Sequence, residues 1–351
     1  MNSFKNKSEQ WAILAMTIAA AIWGSGFIVT RIALDAGFTT AQILFYRFAL
    51  AAVFFGLVFY RHIRRITKRD LAAGLPAGLL LFFGFMTQTI GLRQTSPARN
   101  AFITATYVVI VPFLGWLITR RKPGLKIFGG ACCSLLGIGI LSFDGSSGAL
   151  LTVGDGLTLI CALCFAAHFL VLEWAVRKID TQILLFLQMA VTTVCSLIIL
   201  PFDGGFRLVQ GAAAGDWKAG AAAVLYLALF SSGLAYFIQT SAQKYTTSSK
   251  AAIVLAAEAL WGSLFSLLFG FEPLTPRLVV GGLLIFASIL IVEWPAKKTS
   301  LSGSVDPTGL DRERADNAAA AAQLQFTPAP AEPACQTEQK AEDSGSPEII
   351  R

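Results

Sequence analysis

Glu258 is an acid set inside the apolar run 251–270, seven residues past its start. At 1.5 Å per residue it would lie roughly 10 Å along a helix. If that helix crosses a bilayer, an unpaired charge there costs upward of about 2.5 kcal/mol, so the carboxylate needs a partner or a purpose. It can meet a cationic group of a ligand or carry a proton. The alternative is an anchor that ties neighbouring helices by hydrogen bonds. Trp261 follows at i+3 and is read as lining the same space. Arg47, within the run 41–60, is the basic counterpart. Its fork can hold an anionic group, snorkel toward an interface, or pair structurally with a backbone carbonyl or with Glu258. His168 shares a small-residue face with Cys161, Cys164 and Ala167; it suits a proton or gating role, or plain hydrogen-bonded packing. Ser232, Tyr236, Gln239 and Gln243 fall at i, i+4, i+7 and i+11, and Asn100, Thr104 and Tyr107 at i, i+4 and i+7. Two such polar stripes would face a cavity or another helix rather than lipid.

The elements that must carry these residues are long apolar helices. The chain has 351 residues, of which 55% are hydrophobic and 14% charged, against about 25% charged in an average soluble chain. Residues 296–351 hold six Lys/Arg and nine Asp/Glu, so the remaining 295 residues carry 22 basic against 12 acidic side chains. Too little charge is left to cover a soluble globule, and the expectation is an all-α integral membrane protein. A spanning helix needs about 20 mainly apolar residues. Runs at 10–30, 41–60, 71–92, 100–119, 125–142, 156–175, 181–202, 219–243, 251–270 and 277–294 give ten transmembrane helices. With both termini cytoplasmic, seventeen Lys/Arg fall on inner segments and six on outer ones, as the positive-inside rule requires. The first run is longer than a signal-peptide core and no A-x-A-like site ends it, so it reads as a retained helix. Five of the six cysteines are inside spans, where Cys is a small apolar residue. No metal site or cofactor is expected, Cys161-x-x-Cys164 included. Gly74-x-x-x-Gly78 and the Gly129/Gly281 pairs are read as places of close helix contact.

The chain also repeats itself. At an offset of 151, Gln88-Thr89 meets Gln239-Thr240, Thr95 meets Thr246, Ala101 meets Ala252, and Arg93 and Arg99 meet Lys244 and Lys250. Five spans per half would make the second half enter from the opposite side. The expected architecture is therefore two inverted five-helix repeats, a recurring design of secondary transporters with the site between the halves.

These residues resemble the EamA-type permeases of the drug/metabolite transporter superfamily. The resemblance rests on Ala21-Ile22-Trp23-Gly24-Ser25-Gly26-Phe27 with Arg31, on Arg47, and on Gly84 to Leu92 with Gln88 at its centre. It continues through Thr95-Ser96-Pro97-Ala98, Tyr107 to Pro112, Glu258 and Glu272. Ala259 stands where the family usually has Pro, Phe271 where it has Gly, and Thr119-Arg120-Arg121 where it has a first-half Gly-Glu. The resemblance implies a ten-helix inverted-repeat fold, a central cavity, and carriage of small organic solutes. Trp23, Arg47, Gln88, Tyr107, His168, Tyr236, Gln239, Glu258 and Trp261 are the substrate-cavity candidates.

The expected organisation is a cytoplasmic N-terminus (1–10), a first repeat (11–142), an external loop (143–155), a second repeat (156–295) and a disordered cytoplasmic tail (296–351). The expected function is a multi-pass inner-membrane permease, an exporter of small metabolites such as amino acids, working by alternating access. Expected partners are that solute and the lipid bilayer, with the chain a monomer or homodimer. Net charge +7 comes from short loops without an aromatic-basic module, so no nucleic acid is expected. The P-loop pattern is absent, which argues against ATP-driven transport by this chain alone. A membrane enzyme would need convergent acid, base or metal residues; only two histidines are present. A sensor using the tail as output is the other alternative.

Overall fold

Side chains at the N-terminal ends fix where six of the helices begin. Thr39 and Thr67 form capping boxes with Gln42 and Asp70 ahead of α2 (Thr40–Val58) and α4 (Lys68–Leu92), and Thr152 does the same with Asp155 ahead of α8 (Val153–Ala175). Each box satisfies two backbone N–H groups that the first helical turn leaves without partners. Ser96 caps α5 (Pro97–Thr104), with proline in its favoured first-turn position; Asp180 caps α9 (Thr181–Ile199) and Thr247 caps α12 (Ser248–Leu255). The other helices are α1 (Asn2–Asp35), the single turn α3 (Tyr60–Ile63), α6 (Tyr107–Thr119), α7 (Leu125–Ser142), α10 (Trp217–Tyr226), α11 (Ala235–Ala242), α13 (Glu258–Leu268) and α14 (Pro276–Glu293). The computed structural model describes residues 2–120, 122, 125–142, 152–206 and 217–293. The expectations for a tail over 296–351 and for most of the loop 143–155 lie outside these residues.

Among the described residues, eight helical stretches are long and apolar enough to cross a bilayer, from Ser8–Asp35 to Ser248–Leu268. α7 and α14 are apolar helices whose qualifying stretches are shorter, and they stand where the other two of the ten expected spans were placed. Polarity is distributed as lipid demands: Trp11, Leu57, Ile118, Leu135, Val194 and Leu268 are more than half exposed, whereas Arg47, Asn100, Asp155, His168, Gln188 and Glu258 are buried. A water-soluble globule places these classes the other way round. The chain is a multi-pass membrane protein. Two boundaries differ from the expectation. α1 already begins at Asn2, ahead of the expected run 10–30, and the Thr152 cap starts α8 at Val153 rather than 156.

Three spans are not uniform helices. The stretch expected at 100–119 is broken between α5 and α6, and that at 251–270 between α12 and α13. The two breaks are the same structure 151 residues apart, with Pro97 answering to Ser248, Thr104 to Leu255 and Tyr107 to Glu258. Their hydrogen bonds match as well. Thr106 N–H donates to Ile103 and Val108 to Ala105, while Ala257 donates to Val254 and Ala259 to Ala256. These i→i−3 bonds tighten one turn and swing Tyr107 and Glu258 to the heads of new helices. No proline marks either break, which is why continuous helices were expected. A carboxylate caps the first turn in each case: Glu272 accepts from Ser96 Oγ (2.7 Å) and Ala98 N (3.0 Å) at α5, and Glu173 accepts from Ser248 N (2.7 Å) and Oγ at α12. The third irregular span contains a π-helical segment, Leu227–Leu234, between α10 and α11.

Glycines set the tightest crossings. A Cβ on Gly74 or Gly78 would lie 2.5 Å from Leu187 or Val191 side-chain carbons, so α4 meets α9 as the G-x-x-x-G spacing suggested. Gly129, in contrast, has open space around it; the close contact in the α7/α14 pair is at Gly137, against the Gly281 carbonyl. Gly24 on α1 touches α13, where a Cβ would sit 2.9 Å from the Glu258 carbonyl and from the Gly262 nitrogen. Neither backbone atom can move aside cheaply. Gly24→Val is expected to destabilise the protein by about 1–3 kcal/mol, read as a lowered melting temperature in detergent. Gly129→Val is expected to leave the melting temperature unchanged.

Candidate functional site

The two broken spans bring Tyr107 and Glu258 into one buried cavity. Glu258 opens α13, where the positive end of the helix dipole favours a carboxylate. The Tyr107 hydroxyl faces that carboxyl without reaching hydrogen-bond geometry, and it has no other partner. α1 supplies Trp23, Gly26, Phe27 and Thr30, one helical face. α4 contributes Phe85, Gln88, Thr89 and Leu92; α8 contributes Phe165, His168 and Phe169; α11 contributes Tyr236 and Gln239. Arg47 enters from α2.

Arg47 is 2% exposed, so it does not snorkel. Its Nε donates to Ser232 Oγ at 2.8 Å and its Nη2 to Ser231 Oγ at 2.9 Å, while the guanidinium stacks on Phe85 at 4.4 Å. The expected structural alternatives were a backbone carbonyl or Glu258, but the partners are two neutral hydroxyls. Both serines lie in the π-helical segment, a local geometry that recurs at functional sites. Trp23 Nε1 donates to the Ser231 carbonyl at 3.0 Å and fixes the same segment from α1. With one edge of the fork taken by hydroxyls, Nη1 remains for a further acceptor.

Tyr236 stands within electrostatic reach of both Arg47 and Glu258 and packs against the Trp23 ring with centroids 4.9 Å apart. Tyr107 packs on Phe169 at 5.1 Å. His168 Nε2 bonds Gln188 Oε1 at 2.7 Å, with Gln188 in turn near Thr240, which ties the imidazole into a packed layer at the cavity wall. Gln88 Nε2 donates to Thr104 Oγ1 at 3.2 Å. Gln239 Oε1 is buried without a partner. The cavity volume open to the centres of water-sized molecules is about 40 Å³.

The sequence profile of the EamA-like transporter family matches this chain twice, over residues 10–143 and 152–294. The chain belongs to the EamA-like transporter family. Among its relatives, an uncharacterized transporter of Archaeoglobus fulgidus is 32% identical over 286 residues, covering 80% of this chain and 85% of the relative. The uncharacterized transporter YvbV of Bacillus subtilis is 24% identical over 220 residues, covering 62% of this chain and 70% of its own length. A solved crystal structure matches with TM-score 0.61 over 81% of this chain and 96% of its own, at 14% identity; that likeness concerns the fold alone.

Of the nine cavity candidates in this EamA-like transporter, eight line the cavity: Trp23, Arg47, Gln88, Tyr107, His168, Tyr236, Gln239 and Glu258. Trp261 does not. The buried stripe of α13 runs Glu258, Ala259, Gly262 and Ser266, and Trp261 falls on its flank, 37% exposed and stacked on Phe265 at 5.9 Å. Trp261→Ala is therefore expected to leave solute flux within about twofold of wild type, as surface substitutions away from a site generally do. Trp23→Ala, which frees Ser231 and strips a cavity wall, is expected to lower it; flux into proteoliposomes reads both. Within the polar stripes, Gln243 donates to the Phe169 carbonyl (2.8 Å) and Asn100 to Thr158 (2.8 Å), which makes them helix ties. Ser231 was not anticipated, because only the π-helical register turns it toward Arg47. Thr30, Phe165 and Phe169 carry no local mark in the sequence.

Proposed function

We propose that this EamA-like transporter is a secondary transporter of small zwitterionic organic solutes, amino acids and their relatives, acting as an exporter by alternating access. One observation carries the reading: a buried arginine and a buried glutamate, not paired with each other, line one cavity. Two like charges would select a doubly charged ion. Two unlike charges, left apart, select a solute that brings a carboxylate to Arg47 and an ammonium group to Glu258. The unpartnered Tyr107 hydroxyl and Gln239 oxygen add two hydrogen-bonding groups that a polar solute would satisfy.

Alternating access would follow from two inverted repeats, 11–142 and 156–295. The 151-residue match of the broken spans supports such repeats, as does the pairing of helices. α2 packs on α9 and α7 on α14, while α4 on α8 is answered by α1 on α10 and α11. A pseudo-two-fold axis in the membrane plane would relate each of these partners. Tyr107 and Glu258 are then repeat mates in which one half supplies a phenol and the other a carboxylate. The excess of Lys/Arg on one set of loops supports both termini on the cytoplasmic side of the inner membrane.

The test is counterflow. Proteoliposomes preloaded with a mixture of unlabelled amino acids are offered labelled zwitterions, organic anions and organic cations one at a time. Accumulation of one or more zwitterions above empty liposomes is the expected result. Accumulation confined to anions or cations, or none for any class, would overturn it.

A further inference from the structure

A second concave site lies at a different level, where α9 begins and α11 gives way to the turn Gln243–Tyr245. Its walls are Ile179, Asp180, Thr181, Gln182 and Leu185 on one side and Phe237, Ser241, Lys244 and Tyr245 on the other. About 280 Å³ is open to the centres of water-sized molecules, much more than in the central cavity. The floor is apolar and partly bare: Phe237 is 41% exposed. The rim is polar and sits at helix ends, where a bilayer places its headgroups. Tyr245, 56% exposed, has the amphipathic ring that favours that level.

Charge decides which headgroup fits. Lys244 and Asp180 both line the cleft and both are exposed, and among the described residues neither forms an ion pair. A cleft with basic residues alone would take an anionic lipid. One positive and one negative group facing a common space take a headgroup that carries both signs. Asp180 Oδ1 is occupied by the Gln182 amide at 2.8 Å, leaving the second oxygen to accept from an N–H donor. A primary ammonium has such donors and a trimethylated one has none.

We propose that this cleft binds an aminophospholipid of the phosphatidylethanolamine type, with its phosphate on Lys244, its ammonium on Asp180 and its acyl chains running over the exposed Phe237 ring. Thr181, Gln182, Ser241 and Tyr245 stand close enough to the rim to hydrogen-bond the phosphate and glycerol oxygens. The site is independent of the solute cavity and of what that cavity carries.

The experiment uses the full chain, purified and delipidated, then offered nanodisc-derived phosphatidylethanolamine, phosphatidylcholine and phosphatidylglycerol in equal amounts, with retained lipid counted by native mass spectrometry. Wild type is expected to retain phosphatidylethanolamine preferentially. Lys244→Gln is expected to lower retention of all three lipids by roughly fivefold, the effect of one basic side chain at a lipid surface. Asp180→Asn preserves the helix cap and is expected to abolish the preference for phosphatidylethanolamine over phosphatidylcholine while leaving total retention unchanged. Preferential retention of phosphatidylglycerol, or an ethanolamine preference that survives Asp180→Asn, would overturn the proposal. So would displacement of the bound lipid by millimolar free amino acid, which would make the cleft a solute site.

Discussion

Glu258→Gln is expected to lower exchange of a zwitterionic solute by roughly ten- to a hundredfold, the loss of one hydrogen bond to a charged group worth about 1.5–3 kcal/mol. The glutamine is isosteric and can still meet Tyr107, so the cavity keeps its shape and the protein its melting temperature. What disappears is the charge at the head of α13. Flux under a pH gradient separates two roles of the carboxylate. If Glu258 only binds the ammonium, a gradient drives no net uptake in wild type. If Glu258 also carries a proton, the gradient drives uptake in wild type and not in the variant. Full pH-dependent flux in the variant would eliminate the carrier role.

Arg47→Lys is expected to have the second-largest effect, and on two readouts at once. Lysine keeps the positive charge but not the planar fork. It cannot hold Ser231 and Ser232 together as Nε and Nη2 do while also presenting a nitrogen to the cavity. Solute affinity is expected to fall about tenfold. The melting temperature is expected to fall as well, because a buried hydroxyl left without its partner costs about 1–3 kcal/mol. Ser231→Ala with Ser232→Ala separates these effects, lowering stability while leaving the guanidinium free to bind. An Arg47→Lys protein with unchanged affinity would remove the carboxylate role from this residue.

The chemistry of the cavity was legible in the sequence because a charge or polar stripe inside an apolar run is conspicuous. Arg47, His168, Glu258, Tyr236 and Gln239 stand out by that contrast alone, and the 151-residue repeat ties the Gln88 block to the Gln239 block. Geometry that depends on backbone irregularity was not legible. Ala105-Thr106 and Ala256-Ala257 are ordinary helix residues, and the tightened turns there arise from packing rather than from proline or glycine. The π-helical segment is equally unmarked, so the stripe spacing picks out Ser232 and not its neighbour Ser231. Trp261 stands apart from the cavity lining, since i+3 spacing places two residues near each other but does not say which of them the adjoining helix covers. Here Gly24 lets α1 press against α13 beside Glu258, and the Trp261 ring is left on the flank.

Binding of one transported amino acid, its methyl ester and its N-acetyl form to wild type, Arg47→Lys and Glu258→Gln, followed by titration calorimetry, tests the pairing of solute charge with cavity charge most directly. The ester lacks the carboxylate and is expected to bind wild type and Arg47→Lys equally weakly. The N-acetyl form lacks the ammonium and is expected to be indifferent to Glu258→Gln. Each substitution is expected to weaken only those forms that keep the group it recognises, the signature of two specific couplings. Equal affinity of the three solutes for wild type, or equal weakening of all three by either substitution, would contradict a zwitterion held between Arg47 and Glu258.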